Sequence, residues 1–200
     1  MQHLTRWDNL GWMTPDETFK ALDSVFHFVA DMAADAQSAK CAAFITPELD
    51  ALVEPWGDWA APGEYVYINP PYGPPKRTTA SHPGNPGVGA FVRRAYEEAM
   101  ATGINVVMLL HAKTDTSWWH EYCWRADEIW EVSGRISFVH PETGRPGKGG
   151  PGMGQAVVIF RRDRQFPLVE GPQRFRVDRK MNQLIDHVDV AQRSQALRIR

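Results

Sequence analysis

Cysteine is scarce in this 200-residue chain, which has only Cys41 and Cys123. One pair cannot build the disulfide framework of a small secreted domain, so a reducing compartment is the simpler setting. Long apolar runs are missing as well. None approaches the roughly 20 residues that span a bilayer, and the opening MQHLTRWDNLGW has no apolar core of signal-peptide length. The expectation is a cytoplasmic protein with no membrane partner. A large net charge is also absent. The formal balance of −2 argues against a purely electrostatic nucleic-acid binder, although it allows a local basic patch. Neither a P-loop nor a G-x-G-x-x-G fingerprint occurs, and no internal repeat is visible. His111, His120 and Cys123 lie close together, but at no standard zinc spacing, and no metal is expected.

What the chain does contain is a mix of element types suited to one domain with an appended tail. Charge divides it. From Arg161 onward there are ten Lys/Arg against five Asp/Glu, leaving twelve against nineteen in the first 160 residues. The expected division is therefore a body over 1–160 and a basic tail over 161–200. The tail carries a predicted helix with Met181, Leu184, Ile185 and Val188 on one face and Asp178 as its candidate N-cap.

In the body, Thr14-Pro15 opens a short helix, with Thr14 as candidate cap and Pro15 in the first turn. VFHFVAD reads as a strand ending at Asp31, KCAAFIT as a second, and YVYIN as a third ending at Asn69. Residues 73–89 are a loop by composition. AFVRRAYEEAMATG is a helix closed by Gly103, and INVVMLL has the unbroken apolar character of a central parallel strand. DTSWWHEYCWRA reads as helical, EIWEVSGRISFV and QAVVIF as later strands, and 141–154 as a Gly/Pro-rich loop. Such alternation predicts an α/β fold, whose ligands sit beyond the carboxyl ends of the strands. Asp31, Asn69 and His111 all fall at those ends.

The segment after the third strand is Asn69-Pro70-Pro71-Tyr72. Two consecutive prolines stop a sheet, since each lacks an N–H and fixes φ. They also stiffen what they carry. The Asn69 side-chain oxygen and the Pro70 carbonyl are acceptors, and Tyr72 supplies a flat ring. Together these suit a planar group bearing an NH₂, such as the exocyclic amine of adenine. Two acceptors that draw the amine toward tetrahedral geometry localise its lone pair for attack. On this reading Tyr72→Ala weakens stacking by about 1–3 kcal/mol, and Tyr72→Phe is much milder.

This tetrapeptide resembles the signature of amino-group methyltransferases that use S-adenosylmethionine. The ordered set WMTPDETFKAL, FVADMAADAQSAKCAAFIT, YINPPYG, FVRRAYEEA, VVMLLHAKTDTSWWH, GRISF and QAVVIF resembles the phage-type DNA adenine-N6 methyltransferases, the small Dam-like enzymes, over roughly residues 10 to 160. The resemblance implies a Rossmann-like class I methyltransferase fold with a mixed, mostly parallel sheet flanked by helices. It implies direct methyl transfer from S-adenosylmethionine to the N6 amine of an adenine in DNA. Cytosine N4, RNA or protein glutamine are the alternative acceptors, and a non-catalytic nucleic-acid binder is the alternative from another class.

Residue by residue, the resemblance assigns Asn69, Pro70, Pro71 and Tyr72 to catalysis. Thr14, Pro15, Asp31, Ala33 and Asp50 are its candidates for the cofactor, Asp50 for the ribose hydroxyls, with Glu48 and Glu54 as the nearby alternatives. Ala33 stands where larger relatives have a glycine-rich turn. No inserted recognition domain is present, so specificity is expected from loops 73–89 and 141–154, where Lys76, Arg77, Arg145 and Lys148 suit phosphates. Asp115, Trp118 and Trp119 match the family motif and are the remaining substrate-side candidates, with core packing as the alternative for either Trp. The target amine is inaccessible in a stacked duplex, so the base must flip out.

Overall fold

A computed structural model describes residues 12–72, 86–147, 153–162 and 172–178. Its frame is a seven-stranded sheet in the order β2-β1-β3-β4-β6-β5-β7. The strands are β1 (Ala30–Asp31), β2 (Ala43–Phe44), β3 (Tyr65–Ile68), β4 (Asn105–His111), β5 (Glu128–Ser133), β6 (Gln155–Phe160) and β7 (Gln173–Asp178). Strand β6 runs antiparallel to both its neighbours, and every other pairing is parallel. The expected α/β architecture with a mixed, mostly parallel sheet is what the chain adopts.

Two helices cover the sheet, one on each face. α1 (Asp16–Phe26) buries Phe19, Leu22 and Phe26 against Tyr67, Val107, Leu109, Val157 and Ile159. α2 (Val88–Thr102) buries Phe91, Val92, Ala95 and Ala99 against Val66, Ile68, Val106, Met108 and Leu110. Side chains alternate across a strand, so β4 sends odd-numbered residues to one layer and even-numbered ones to the other. A strand covered on both sides must be apolar throughout, which is why its pattern could be read directly. α2 ends on Gly103, whose φ of 80° lets its N–H close on the Ala99 carbonyl.

Several local expectations change. Val25 and Phe26 belong to α1 rather than to the first strand, which is only two residues long. His27 ends the helix in the left-handed region, φ 55°, its N–H on the Asp23 carbonyl. Thr14 does not cap α1. Pro15 holds the cap position, and the Thr14 hydroxyl is bonded to the Tyr67 hydroxyl at 2.7 Å in the interior. GRISFV does not extend β5, although Val139 forms isolated bridges. Asp178 ends a strand rather than starting a helix, so the sheet continues past the expected boundary at residue 160. The helix expected around Met181–Val188 lies outside the described residues. At the opposite end of the sheet, Arg161 pairs with Asp127 and Glu128 and donates to the Tyr65 hydroxyl, tying β3, β5 and β6.

Candidate active site

Parallel pairing brings the carboxyl ends of β1, β3 and β4 to one edge; Asp31 is level with Tyr67, two residues before Asn69, and Ile68 with Met108, three residues before His111. Pro70 is buried at this edge, which keeps the turn after β3 fixed. The chain then folds Tyr72 back toward β4. The Tyr72 hydroxyl lies 2.9 Å from Asn69 Oδ1 and 2.7 Å from the Leu109 carbonyl, a donor set between two acceptors. Its ring packs on His111, centroids 4.0 Å apart and planes 35° apart. Phe138 stands edge-on to both rings at 6.4 Å. Burial pushes the Tyr72 hydroxyl well above the usual phenol range, so it remains a donor. Burial, with Lys113 adding to it, pushes His111 down to about 4 and keeps its imidazole neutral. The hydroxyl is therefore engaged as fully as the ring, a contribution that the expectation of a mild Tyr72→Phe change left out.

A second wall closes on Asn69 from the N-terminal side. Met13 and Val139 exchange both backbone hydrogen bonds, at 2.8 and 2.9 Å. Residues 138–147 turn back on themselves, with the Gly147 N–H donating to the Phe138 carbonyl at 2.9 Å. The Asn69 amide nitrogen donates to the Trp12 carbonyl at 3.4 Å, and the Trp12 ring meets His140 edge-on at 5.2 Å. Gly147 admits this packing, because a Cβ there would come within 2.9 Å of the Trp12 ring. Beside this wall is a cleft of about 500 Å³ that includes Thr14, Asp16, Glu17, Lys40, Arg135 and Pro146 in its lining.

Asp31 is 3 % exposed and accepts from the Ala33 and Lys40 backbone N–H groups, at 3.3 and 3.2 Å. Burial raises its carboxyl to about 6 against the opposing pull of those two N–H groups. It therefore fixes the turn that leaves β1, and Ala33 is part of the same turn. Lys40 also pairs with Asp16 at 2.5 Å, linking that turn to the start of α1. Asp50 lies beyond β2 with φ 65° and accepts from the Leu52 N–H, holding its own turn.

The other candidates are dispersed. Asp115 and Arg145 are exposed, the latter on the 138–147 turn. Trp119 is buried, and Trp118 packs on the core and closes within about 3.1 Å of where a Cβ on Gly89 would stand. Lys76, Arg77 and Lys148 lie outside the described residues. Sequence reasoning overlooked the Leu109 carbonyl, Phe138 and Trp12, which reach the site through register and long-range pairing. His111 had a signal in its position at a strand end.

The family model for DNA N-6-adenine-methyltransferase (Dam) matches residues 3–183 of the chain. A curated protein of Escherichia coli (strain K12), "Putative methyltransferase YfdM", is 40% identical over 63 residues, spanning 30% of this chain and 69% of that protein.

Proposed function

The chain belongs to the DNA N-6-adenine-methyltransferase (Dam) family and is a methyltransferase, and from that premise we propose that it methylates the N6 amine of adenine in DNA. The carrying observation is the occupancy of the Asn69 oxygen. It already accepts from a donor borne on a planar aromatic ring, with a backbone carbonyl alongside. That is the recognition an exocyclic amine on a flat base requires.

S-Adenosylmethionine, the donor proposed here, supplies an electrophilic sulfonium methyl when bound. The residues present fit it. The cleft beside Thr14 carries side chains of both signs, Asp16 and Glu17 against Lys40 and Arg135, which suits the zwitterionic amino-acid end of such a molecule. Thr14 and Pro15 line this cleft. Asp31 and Ala33 act on it by shaping the turn after β1, and Asp50 is carried forward as the candidate for the ribose hydroxyls.

Asn69 Oδ1 and the Pro70 carbonyl hold the amine, and the stiff Pro70-Pro71 turn keeps their geometry from relaxing as charge develops. Tyr72 supplies the stacking face. Arg145, together with Lys76, Arg77 and Lys148, is assigned to phosphates, and Asp115 to the substrate side. Trp118 and Trp119 lie in a short helix after β4, Ser117–Glu121, and serve by positioning it. Among the described residues no helix is long and apolar enough to cross a membrane.

Labelled S-adenosylmethionine offered with adenine-containing DNA, RNA and protein tests the reading. Label recovered as N6-methyladenine from DNA is the expected result. Label confined to RNA, to protein or to cytosine would overturn the choice of acceptor.

A further inference from the structure

The contacts of Tyr72 are those required of the substrate. Its hydroxyl donates between Asn69 Oδ1 and the Leu109 carbonyl, and its ring lies on His111 with Phe138 edge-on. A base entering this site needs elements of the same kind: a donor on the Asn69 oxygen, a second carbonyl (that of Pro70, where Tyr72 uses Leu109), and an aromatic platform. One ring cannot stack on His111 where another already lies. His111 itself bears a mark of an incomplete environment. Its Nδ1 is buried, with no hydrogen-bond partner among the described residues. A buried polar atom without a partner is costly, and the carbon face of a phenol ring does nothing to relieve it. The imidazole is neutral, so it stacks without a charge to desolvate.

We propose that Tyr72 occupies the place of the base in the free protein, and that His111 is the platform on which the base stacks once Tyr72 has yielded that place. Tyr72 then covers the opposite face, and the base is held between two rings with its amine on Asn69. His111 becomes a base-contacting residue of the site. This inference rests on the proposed methylation of a nucleobase. The ligand class is a planar heterocycle carrying an exocyclic amine.

The free protein thus holds a closed site that the base must open, and its apparent affinity is reduced by the closed fraction. That gives Tyr72→Phe an unusual sign. Losing the hydroxyl removes the one O–H that Asn69 Oδ1 and the Leu109 carbonyl share in the closed state, while keeping the ring that covers the base.

The probes are two duplexes in the context that the wild-type protein methylates, one carrying the mismatched target adenine and one an abasic site. Tyr72→Phe is expected to bind the adenine duplex about threefold more tightly than wild type, despite a lower melting temperature, and the abasic duplex equally well. His111→Ala is expected to lose about tenfold on the adenine duplex alone, and His111→Phe, which restores a platform, to regain most of that loss. A merely structural role for either residue would shift both duplexes together, and that result overturns the proposal, as does weaker adenine binding by Tyr72→Phe. In the wild-type protein, the ring resonances of Tyr72, shifted by the His111 ring, must move when the adenine duplex is added; unchanged resonances also overturn it. If the wild type methylates adenine while either variant behaves contrary to these signs, this inference fails alone. If the wild type methylates no nucleobase, both readings fail.

Discussion

At the scale of single residues, the site depends on groups whose neighbours set their chemistry. Asn69 presents its oxygen to a donor and anchors its amide nitrogen on the Trp12 carbonyl. On the proposed mechanism, Asn69→Ala removes an acceptor used while charge develops on the amine. Turnover should fall by roughly 10²–10³-fold, with cofactor affinity nearly unchanged by isothermal titration; wild-type turnover would refute the role.

Asp31 carries a prediction about pH. Its carboxyl is raised from 3.8 to about 6 by burial, so the folded protein holds this proton more tightly than the unfolded chain does. Its contribution to stability is therefore fully present below pH 3.8 and is lost as pH rises through 6, a span worth about 3 kcal/mol. Denaturant midpoints across pH 4 to 7 should show this slope as the difference between wild type and Asp31→Asn, the wild type losing stability relative to the variant as pH rises. Parallel profiles would exclude it.

At the scale of elements, the legible parts of the sequence were those where one physical demand dominated. The run INVVMLL had to be apolar on both faces, and β4 is where it was expected. Asn69 at the end of its strand was readable because two prolines cannot continue a ladder. The aromatic, β-branched segment VFHF looked extended, yet tertiary packing of Phe26 on Tyr65 and Trp130 keeps its first half in α1. β7 is hard to read from sequence because its arginines fall in with those of the basic tail, although Phe175 and Val177 alternate with them in strand fashion. The contacts of Tyr72 with Leu109 and Phe138 are long-range and left no local trace.

The helix stop at Gly103 is a further test at this scale. Its φ of 80° penalises any side chain, whereas an added Cβ would meet Pro62 only at ordinary contact distance. Gly103→Ala should cost about 1 kcal/mol and lower Tm by about 2–4 °C; an unchanged Tm would contradict the account of how α2 ends.

At the scale of the whole molecule, one sheet edge gathers the carboxyl ends of three parallel strands, and the 138–147 turn is tied across to Met13 beside them. Asp31 and His111 titrate in opposite senses, since burial raises the former to about 6 and lowers the latter to about 4. His111 thus contributes stability present above pH 6.5 and lost as pH falls through 4. The two slopes oppose each other between pH 4 and 6, so His111→Phe should make the wild-type profile fall more steeply across that window. An unchanged slope would show that His111 does not titrate as its burial demands.

The central claim is that this edge transfers a methyl group to the adenine amine held by Asn69. Methylation-sensitive long-read sequencing of DNA from cells expressing either the wild-type chain or Asn69→Ala tests it most directly. The account predicts N6-methyladenine in a defined sequence context with the wild type and its loss with the variant. Modified cytosine alone, or equal adenine methylation by both chains, would contradict it.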